Sequence, residues 1–493
     1  MSIYAGTSAV EVRERRLHSI ISYSGTGKEL YDKAKAFAFP GGERSFSQCA
    51  ACPEGCASGL PARTRDTAIV FHAPIGCSNS TLIELALGIK GATLARKQEP
   101  FGVRALCTNI QERDTIFGAA EKLRNALREA DKRFHPKAVY ITTSCASGII
   151  GEDVESVADE MQAELGYTVV PVYCEGFRSR IWSSGFDASF HGIIRKIVKP
   201  PVKKQEDLIN VFNFAGVDTF TPLLSRLGLK TNYLVSLASL EQLETMSEAA
   251  FSTSICETLS MYVAAVLEEQ YGVPEIKTAP PYGYDWTDSW LRAIGKATKR
   301  EEAVEKLISE EKAKYKEEIE TLRSKLAGKR VYVLAGDSFA HNLANVARSL
   351  GLVLAGVTSL HHDLTTDNPK SVNSLDALVE TNGDIANFSI CNMQPYQVVK
   401  ILKRLRPDLL VCRHPGLTAL GSKLGIPSLF EGDANYSIGY EGVVKMGRRL
   451  HEALLTKKRE ANIARYVELP YTDWWLRQED PFYFFEEAEK KRA

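Results

Sequence analysis

The chain is 493 residues long and carries 61 basic and 61 acidic side chains, so its formal net charge is zero. This balance removes the electrostatic case for binding nucleic acid or an anionic membrane surface, and no apolar run approaches the ~20 residues needed to span a bilayer. A single hydrophobic core does not grow to this length, and about three domains are expected.

Residues 1–48 read as a polar extension ending in Phe39-Pro40-Gly41-Gly42. Its first 16 residues are charged and lack the apolar centre of a signal peptide, so a cytoplasmic location is expected, where disulfides do not persist. Within it, Ser24-Gly25-Thr26-Gly27-Lys28 has the look of a phosphate loop. Ser22 stands where the first glycine belongs and Glu29 replaces the Ser or Thr, so ATP binding through a P-loop is not expected.

Residues 49–200 form a first domain. A buried strand over 67–72 runs into Ala73-Pro74-Ile75-Gly76-Cys77, and a periodic helix covers 113–133. Strands over 138–142 and 168–173 are each followed by a loop with a cysteine, Cys145 and Cys174. Residues 201–327 form a second domain, opened by Pro200-Pro201, with strands over 208–215 and 232–237. It also holds a helix over 253–271 with Cys256 near its start, and a charged helix over 301–325 with Glu and Lys at i,i+4, read as a solvated connector. Residues 328–455 form a third domain with strands over 330–334, 352–357, 385–390 and 409–412. The tail, 456–493, is rich in aromatics such as Trp474, Trp475 and Phe482, as expected of a segment packing across a neighbouring domain or subunit. Strand–helix alternation throughout predicts an α/β protein of three Rossmann-like domains with parallel sheets.

Ten cysteines, six of them from Cys49 to Cys145, point to metal ligation in a reducing compartment. Cys77 and Cys145 each follow a strand, and neighbouring parallel strands set such loops side by side, so the two thiols can share one site. Cys49, Cys52 and Cys56 supply a third source in a C-x2-C-x3-C run. That spacing is not a four-cysteine ferredoxin run, so further ligands must come from elsewhere. Thiolates scattered over several loops suit iron–sulfur chemistry better than a closed zinc site. Cys256 stands apart at a helix start, where the positive helix end favours thiolate. His72 precedes the Cys77 loop, as a core histidine or one standing behind a cluster ligand. His361 and His362 follow the strand over 352–357, the end where α/β sheets place ligands; His341 and His414 also follow strand ends.

Several stretches in order carry a family likeness: Pro74-Ile75-Gly76-Cys77, Gln111-Glu112-Arg113-Asp114-Thr115-Ile116-Phe117-Gly118, Ser144-Cys145-Ala146-Ser147-Gly148-Ile149-Ile150-Gly151-Glu152-Asp153 and Cys174-Glu175-Gly176-Phe177-Arg178. Together with Cys256 ahead of Glu269-Gln270-Tyr271-Gly272-Val273-Pro274, Gly328-Lys329-Arg330-Val331 and Tyr440-Glu441-Gly442, they resemble the alpha-type subunit of nitrogenase component 1 over roughly residues 40–455. The resemblance implies three Rossmann-like domains around a buried metallocluster site and pairing with a homologous beta-type subunit, as a heterodimer or α2β2. It implies a P-cluster-type [8Fe-7S] centre ligated by Cys77, Cys145 and one of Cys49, Cys52 or Cys56, with the family's spacing favouring Cys52. It further implies an ATP-dependent iron protein as electron donor and a complex Fe–S cofactor held by Cys256, its heterometal open.

The departures bear on the substrate. Dinitrogen-reducing members carry a second cofactor ligand, a histidine, shortly before the position of Tyr440, where this chain reads Glu431-Gly432-Asp433-Ala434-Asn435-Tyr436. Glu431 or Asp433 could bind iron instead, or His361 or His362 could. Trp182 and Phe186 stand where those members place a glutamine and a histidine facing the cofactor, which argues for a small apolar substrate rather than dinitrogen. Three functions follow as expectations. The first is a reductase cleaving C–S bonds in small methylthio-alkanes, with Trp182, Phe186 and His362 in its pocket. The second is a non-catalytic scaffold for cofactor maturation, and the third a dark-operative type tetrapyrrole reductase, against which Cys256 counts.

Overall fold

The computed structural model describes residues 22–38, 52–179, 181–213, 217–363, 373–391, 395–413, 415–432 and 437–477. Thirteen strands occur among them: β1 Ser22–Gly25, β2 Thr67–His72, β3 Ala105–Cys107, β4 Ala138–Thr143, β5 Thr168–Val172, β6 Gln205–Asn213, β7 Lys230–Val235, β8 Ala249–Ser254, β9 Arg330–Ala335, β10 Val353–Ser359, β11 Phe388–Cys391, β12 Leu409–Cys412 and β13 Ser428–Phe430. They fall into two compact units. One lies within Ala51–Glu275, and the other joins residues of His18–Ala50 to those of Ile276–Ala493.

The first unit holds two parallel sheets. One has the order β3-β2-β4-β5 and the other β7-β6-β8. β2 and β4 are buried along their whole length, as expected of strands covered by helices on both faces. Val70, Val139 and Ile141 meet Leu123, Leu127, Val157 and Met161 from the covering helices Ala120–Phe134 and Val154–Leu165. In both sheets the first strand in sequence lies inside, flanked by the second and third. The chain therefore reverses its winding beside β2 and β6, and a crevice opens there at the carboxyl ends of the strands.

The second unit is built on one six-stranded sheet of order β1-β11-β10-β9-β12-β13, parallel except for β1. β9, β10 and β11 wind one way and β12, β13 the other, so this sheet too has a switch point, beside β9.

Four elements differ from the sequence expectation. The stretch read as an extension contributes β1 and the helix Gly27–Lys35, which is capped by a reciprocal Thr26–Glu29 box and tied by Lys35 to Asp376 at 2.6 Å. The P-loop-like segment thus spends its helix N-terminus on its own carboxylates: Glu29 reaches back to the Thr26 N–H, and Asp384 accepts the Lys28 N–H at 2.9 Å. The helix expected over 113–133 is two helices, Glu112–Phe117 and Ala120–Phe134, broken where Gly118 takes φ +84°. The helix expected from 253 starts at Glu257, because Ala249–Ser254 pairs with β6 as a strand. Finally, the charged helix Glu301–Leu326 is no mere connector. It buries Val304, Leu307, Ile308, Ile319, Leu322 and Leu326 at helical spacing and packs on the helix Gly439–Leu455.

Candidate metal centres

β2 and β4 lie side by side in register, with His72 opposite Thr143. Their carboxyl ends therefore release two helices next to one another. One is Ile75–Ala95 with Cys77 in its first turn; the other is Cys145–Ile150, which begins on the thiol itself. Cys145 is fixed by a capping box in which Ser144 accepts from the Ser147 N–H and Ser147 returns a bond to the Ser144 N–H at 2.8 Å. The Ser144 hydroxyl also donates to the His72 carbonyl at 3.0 Å, tying the two strand ends. The turn expected after Cys145 is thus a short helix, and Gly148 sits within it. Its N–H is committed to the Ser144 carbonyl, so it does not face a sulfur.

The motif Cys174–Arg178 explains itself at this edge. Cys174 is buried and its thiol donates to the Thr143 carbonyl at 3.3 Å. Burial, then the neighbouring Glu54, Glu175 and Cys52, push that thiol well up, which marks it as a packing residue. Glu175 pairs with Arg178 at 2.8 Å and lies over Gly148. Gly176 carries no side chain because a Cβ there would stand 2.9 Å from the Cys52 sulfur and 3.4 Å from that of Cys145. Those two sulfurs therefore border one small space. Cys52 caps the helix Pro53–Gly59. Burial pushes the Cys77 thiol up, with Glu54, Cys145 and Cys107 adding to the shift. Cys52 and Cys145 share one space, and the pairing of β2 with β4 sets the Cys77 loop beside that of Cys145. Cys56 lies against Gly185, and Cys49 lies outside the described residues.

Cys52 and Cys145 are exposed, and the rim around them is apolar and exposed as well. Ile116 and Phe117 are 77% accessible, Ile149 77% and Phe177 54%. Two features here were not legible in the sequence. Glu54, between the cysteines, is buried, and burial pushes its carboxyl up to about 7. Cys107, at the end of β3, donates to the Ala73 carbonyl at 3.2 Å beside the Cys77 loop.

His72 is fully buried behind this edge. Its Nε2 donates to Glu152 at 3.0 Å and its Nδ1 lies 3.2 Å from the Thr108 hydroxyl. Glu152 also accepts the Ala119 N–H at 2.8 Å, across the Gly118 break. One carboxylate thereby joins three loops, which accounts for the glycine–glutamate pair in the Cys145 motif.

Cys256 caps the helix Glu257–Tyr271 at the end of β8, beside the switch point of its sheet, and is 3% accessible. Its backbone is locked by Ser254, whose hydroxyl accepts the Cys256 N–H at 3.1 Å and donates to the Cys256 carbonyl at 2.8 Å. Trp182 and Phe186 stack edge to face with centroids 5.9 Å apart, at the start of the helix Ser184–Lys196. This helix touches two others. Gly185 abuts Pro53 and Ala57, and the His191 ring meets the Tyr262 hydroxyl at 2.7 Å on the Cys256 helix.

In the second unit, Glu431 follows β13 and is fully buried, but both oxygens are engaged: Arg449 lies 2.6 Å from one and the Ser437 hydroxyl 2.6 Å from the other. Burial pushes its pKa up against the pull of Arg449. Asp433 and His414 lie outside the described residues. His361 and His362 follow β10 and are 1% accessible. His341 lies on the helix Asp337–Ser349 after β9, with its Nδ1 3.0 Å from the Ser374 hydroxyl.

The thiol set fits an iron–sulfur cluster by its chemistry, since soft sulfur donors converge there, and the one carboxylate among them, Glu54, is pushed by burial toward its neutral form. No helix among the described residues is long and apolar enough to cross a membrane.

Residues 52–455 match the family model described as nitrogenase component 1 type oxidoreductase. The nitrogenase molybdenum-iron protein alpha chain of Methanosarcina barkeri is 31% identical over 314 residues, covering 61% of this chain and 58% of that protein. Its counterpart from Methanothermobacter thermautotrophicus is 26% identical over 469 residues, covering 90% and 95%. The nitrogenase iron-molybdenum cofactor biosynthesis protein NifE of Methanococcus maripaludis is 26% identical over 406 residues, covering 79% and 80%. Among solved structures, nitrogenase Cp1 at pH 5 is similar in fold, with a TM-score of 0.70 at 21% identity over 94% of this chain and 100% of that one.

Proposed function

The chain belongs to the nitrogenase component 1 type oxidoreductases as an alpha-type chain, and from that premise we propose that it is the catalytic subunit of a cytoplasmic reductase that cleaves C–S bonds in small methylthio-alkanes. Its partners are a homologous beta-type subunit, an ATP-dependent iron protein and the small substrate. The sheets are read as three domains, 49–200, 201–327 and 328–455.

The observation that carries the reading is the convergence of Cys52 and Cys145 on the space kept open by Gly176, with Cys77 beside them. Three thiolates from one chain, opening toward exposed apolar groups, suit half of a P-cluster-type [8Fe-7S] centre completed by the beta-type partner. The exposed Ile116, Phe117, Ile149 and Phe177 supply the apolar rim that such a partner would cover. When bound, a complex Fe–S cofactor supplies stepwise electron storage. The chain's part is to hold it through the Cys256 thiolate, to keep water away by burying that thiol, and to shape the substrate space with Trp182 and Phe186. Loading requires the raised Cys77 thiol to give up its proton, so cluster binding is coupled to proton release. The reaction R–S–CH3 + 2e⁻ + 2H⁺ → RH + CH3SH breaks one C–S bond and places one proton on carbon and one on sulfur.

The cofactor-maturation scaffold is the second reading, favoured by NifE of Methanococcus maripaludis matching as strongly in identity as the molybdenum-iron alpha chain of Methanothermobacter thermautotrophicus. The test is to co-purify the chain with its partner, count iron, and add iron protein, ATP, reductant and a methylthio-alkane. Thiol and hydrocarbon formation supports the reductase. Absence of turnover, with cluster passing to an apo-acceptor, supports the scaffold and overturns the reductase.

A further inference from the structure

The second unit contains a buried group of carboxylates and imidazoles that the sulfur chemistry does not use. Asp337 begins the helix after β9, and His361, His362 and Asp363 follow β10, the neighbouring strand. The adjacency of β9 and β10 sets these residues together at the carboxyl edge, at the switch point of the six-stranded sheet. One donor atom each from Asp337, His361 and Asp363 lies within 4.8 Å of the others, and all three residues are 4% accessible or less. His361 Nδ1 is 3.6 Å from Asp363, and both His362 Nδ1 and His341 Nε2 are 3.8 Å from Asp337 Oδ1.

Hydrogen bonding does not account for Asp337 Oδ1 or His341 Nε2. The Asp363 N–H donates to Asp337 Oδ2 at 2.9 Å, but Asp337 Oδ1 and His341 Nε2 are buried without a hydrogen bond, and 3.8 Å is too long for one. Among the described residues, Asp337 has no Lys or Arg partner; its ion-pair neighbours are His341 and His362. Buried carboxylates without a Lys or Arg partner are typically found coordinating a metal or paired with another cation.

We propose that Asp337, His361 and Asp363 bind one divalent first-row cation, of the Mn²⁺, Fe²⁺ or Zn²⁺ class, with His341 and His362 flanking it. Carboxylate oxygen and imidazole nitrogen are the donors such ions take, and they are poor donors for the soft sites of the other unit. Metal–ligand bonds of about 2.0–2.2 Å bring donors to roughly 3–3.5 Å of one another. The donor atoms, now within 4.8 Å of one another, have to close by about 1.5 Å to reach that. The cation balances Asp337, and Asp363 is held in place through its N–H bond to the same carboxylate. The site takes over His361 and His362, which the sequence also offered to the cofactor and its pocket, but its occupancy does not depend on which substrate is reduced.

The test uses the full-length chain freed of metal and titrated with Mn²⁺, an ion hard enough to ignore the thiols. Loss of the free six-line EPR signal counts the bound ion. The expected result is one Mn²⁺ per chain in the wild type and in Cys256→Ser, with affinity at least tenfold weaker in Asp363→Asn and His361→Gln. Pulsed EPR of the wild-type complex is expected to show nitrogen coupling from an imidazole, a readout that holds even where a variant folds poorly. No bound Mn²⁺ in the wild type, equal binding by folded variants, or a bound ion without nitrogen coupling overturns the proposal.

Discussion

Replacing Gly185 by alanine tests whether the helix Ser184–Lys196 sets the position of the cysteine helix. A Cβ at this position would overlap the Pro53 carbonyl oxygen and stand 2.8 Å from the Ala57 nitrogen and 2.9 Å from the Cys56 Cβ, where ordinary contact begins at 3.4 Å. All three atoms belong to Pro53–Gly59 rather than to a flexible side-chain end, so the short helix must retreat by more than about 1 Å to clear the Pro53 oxygen, and such overpacking costs roughly 1–3 kcal/mol. The larger consequence is positional. Cys52 caps that helix, and a ligand set tolerates errors of only about 0.5 Å. Gly185→Ala is therefore expected to lose the iron bound near Cys52 while the far-UV spectrum stays close to wild type. Iron per chain in the co-purified complex and the thermal midpoint measure the two effects. A variant with full iron content and an unchanged midpoint would refute the argument.

Further expectations follow from other sites. Cys256→Ala should lower the iron content by the cofactor's share and leave the cluster near Cys145 in place, read by iron analysis and EPR; full iron retention would remove Cys256 as a ligand. Glu152→Ala takes away the shared acceptor of His72 and the Ala119 N–H and should cost about 1–3 kcal/mol in urea unfolding, as for buried donors left unsatisfied; a loss under about 0.5 kcal/mol would show the tie to be idle. Burial lowers the pKa of His72 below 6.5 despite Glu152. Its contribution to stability is therefore present above pH 6.5 and lost as the pH falls below that value; unfolding free energies across this range should show the decline, and His72→Asn should flatten it. Gly91 lies exposed in the helix Ile75–Ala95 with nothing within 4 Å of a Cβ. Gly91→Ala should therefore stabilise by about 0.5–1 kcal/mol, and a destabilised variant in thermal melts would contradict the open geometry.

The parts of the fold legible in the sequence are those where one local rule dominates. Thr67–His72 and Leu409–Cys412 are apolar runs bounded by turns, and both strands fall on the expected residues. β8, Ala-Ala-Phe-Ser-Thr-Ser, is short and ends in hydroxyl residues with no apolar–polar alternation, so it carries no strand signal, and the helix pattern beyond it takes in its last two residues. The break at Gly118 depends on Glu152, 34 residues away, so local periodicity carries it across as one helix. Similarly, β1 pairs with β11 across more than 360 residues, which no local pattern can announce. The candidate sites divide in the same way. Cys77 and Cys145 follow from strand ends, because β2 and β4 are neighbours. The link between Asp337 and His361–Asp363 requires knowing that β9 and β10 are adjacent, and the role of Gly176 requires the sulfur positions themselves.

The helix Ser184–Lys196 constrains how this protein could change its substrate over evolutionary time. Gly185 fits against the carrier of Cys52, while the next residue, Phe186, is proposed to shape the substrate space, and His191 fastens the same helix to the one that Cys256 caps. A lineage adapting to a bulkier or more polar molecule cannot tilt or slide this helix without shifting the carrier of Cys52, and with it the proposed relay cluster. Adaptation is thereby restricted to exchanging side chains at Trp182 and Phe186 on a fixed backbone, so relatives with different substrates should differ at these two positions and share the small residue between them.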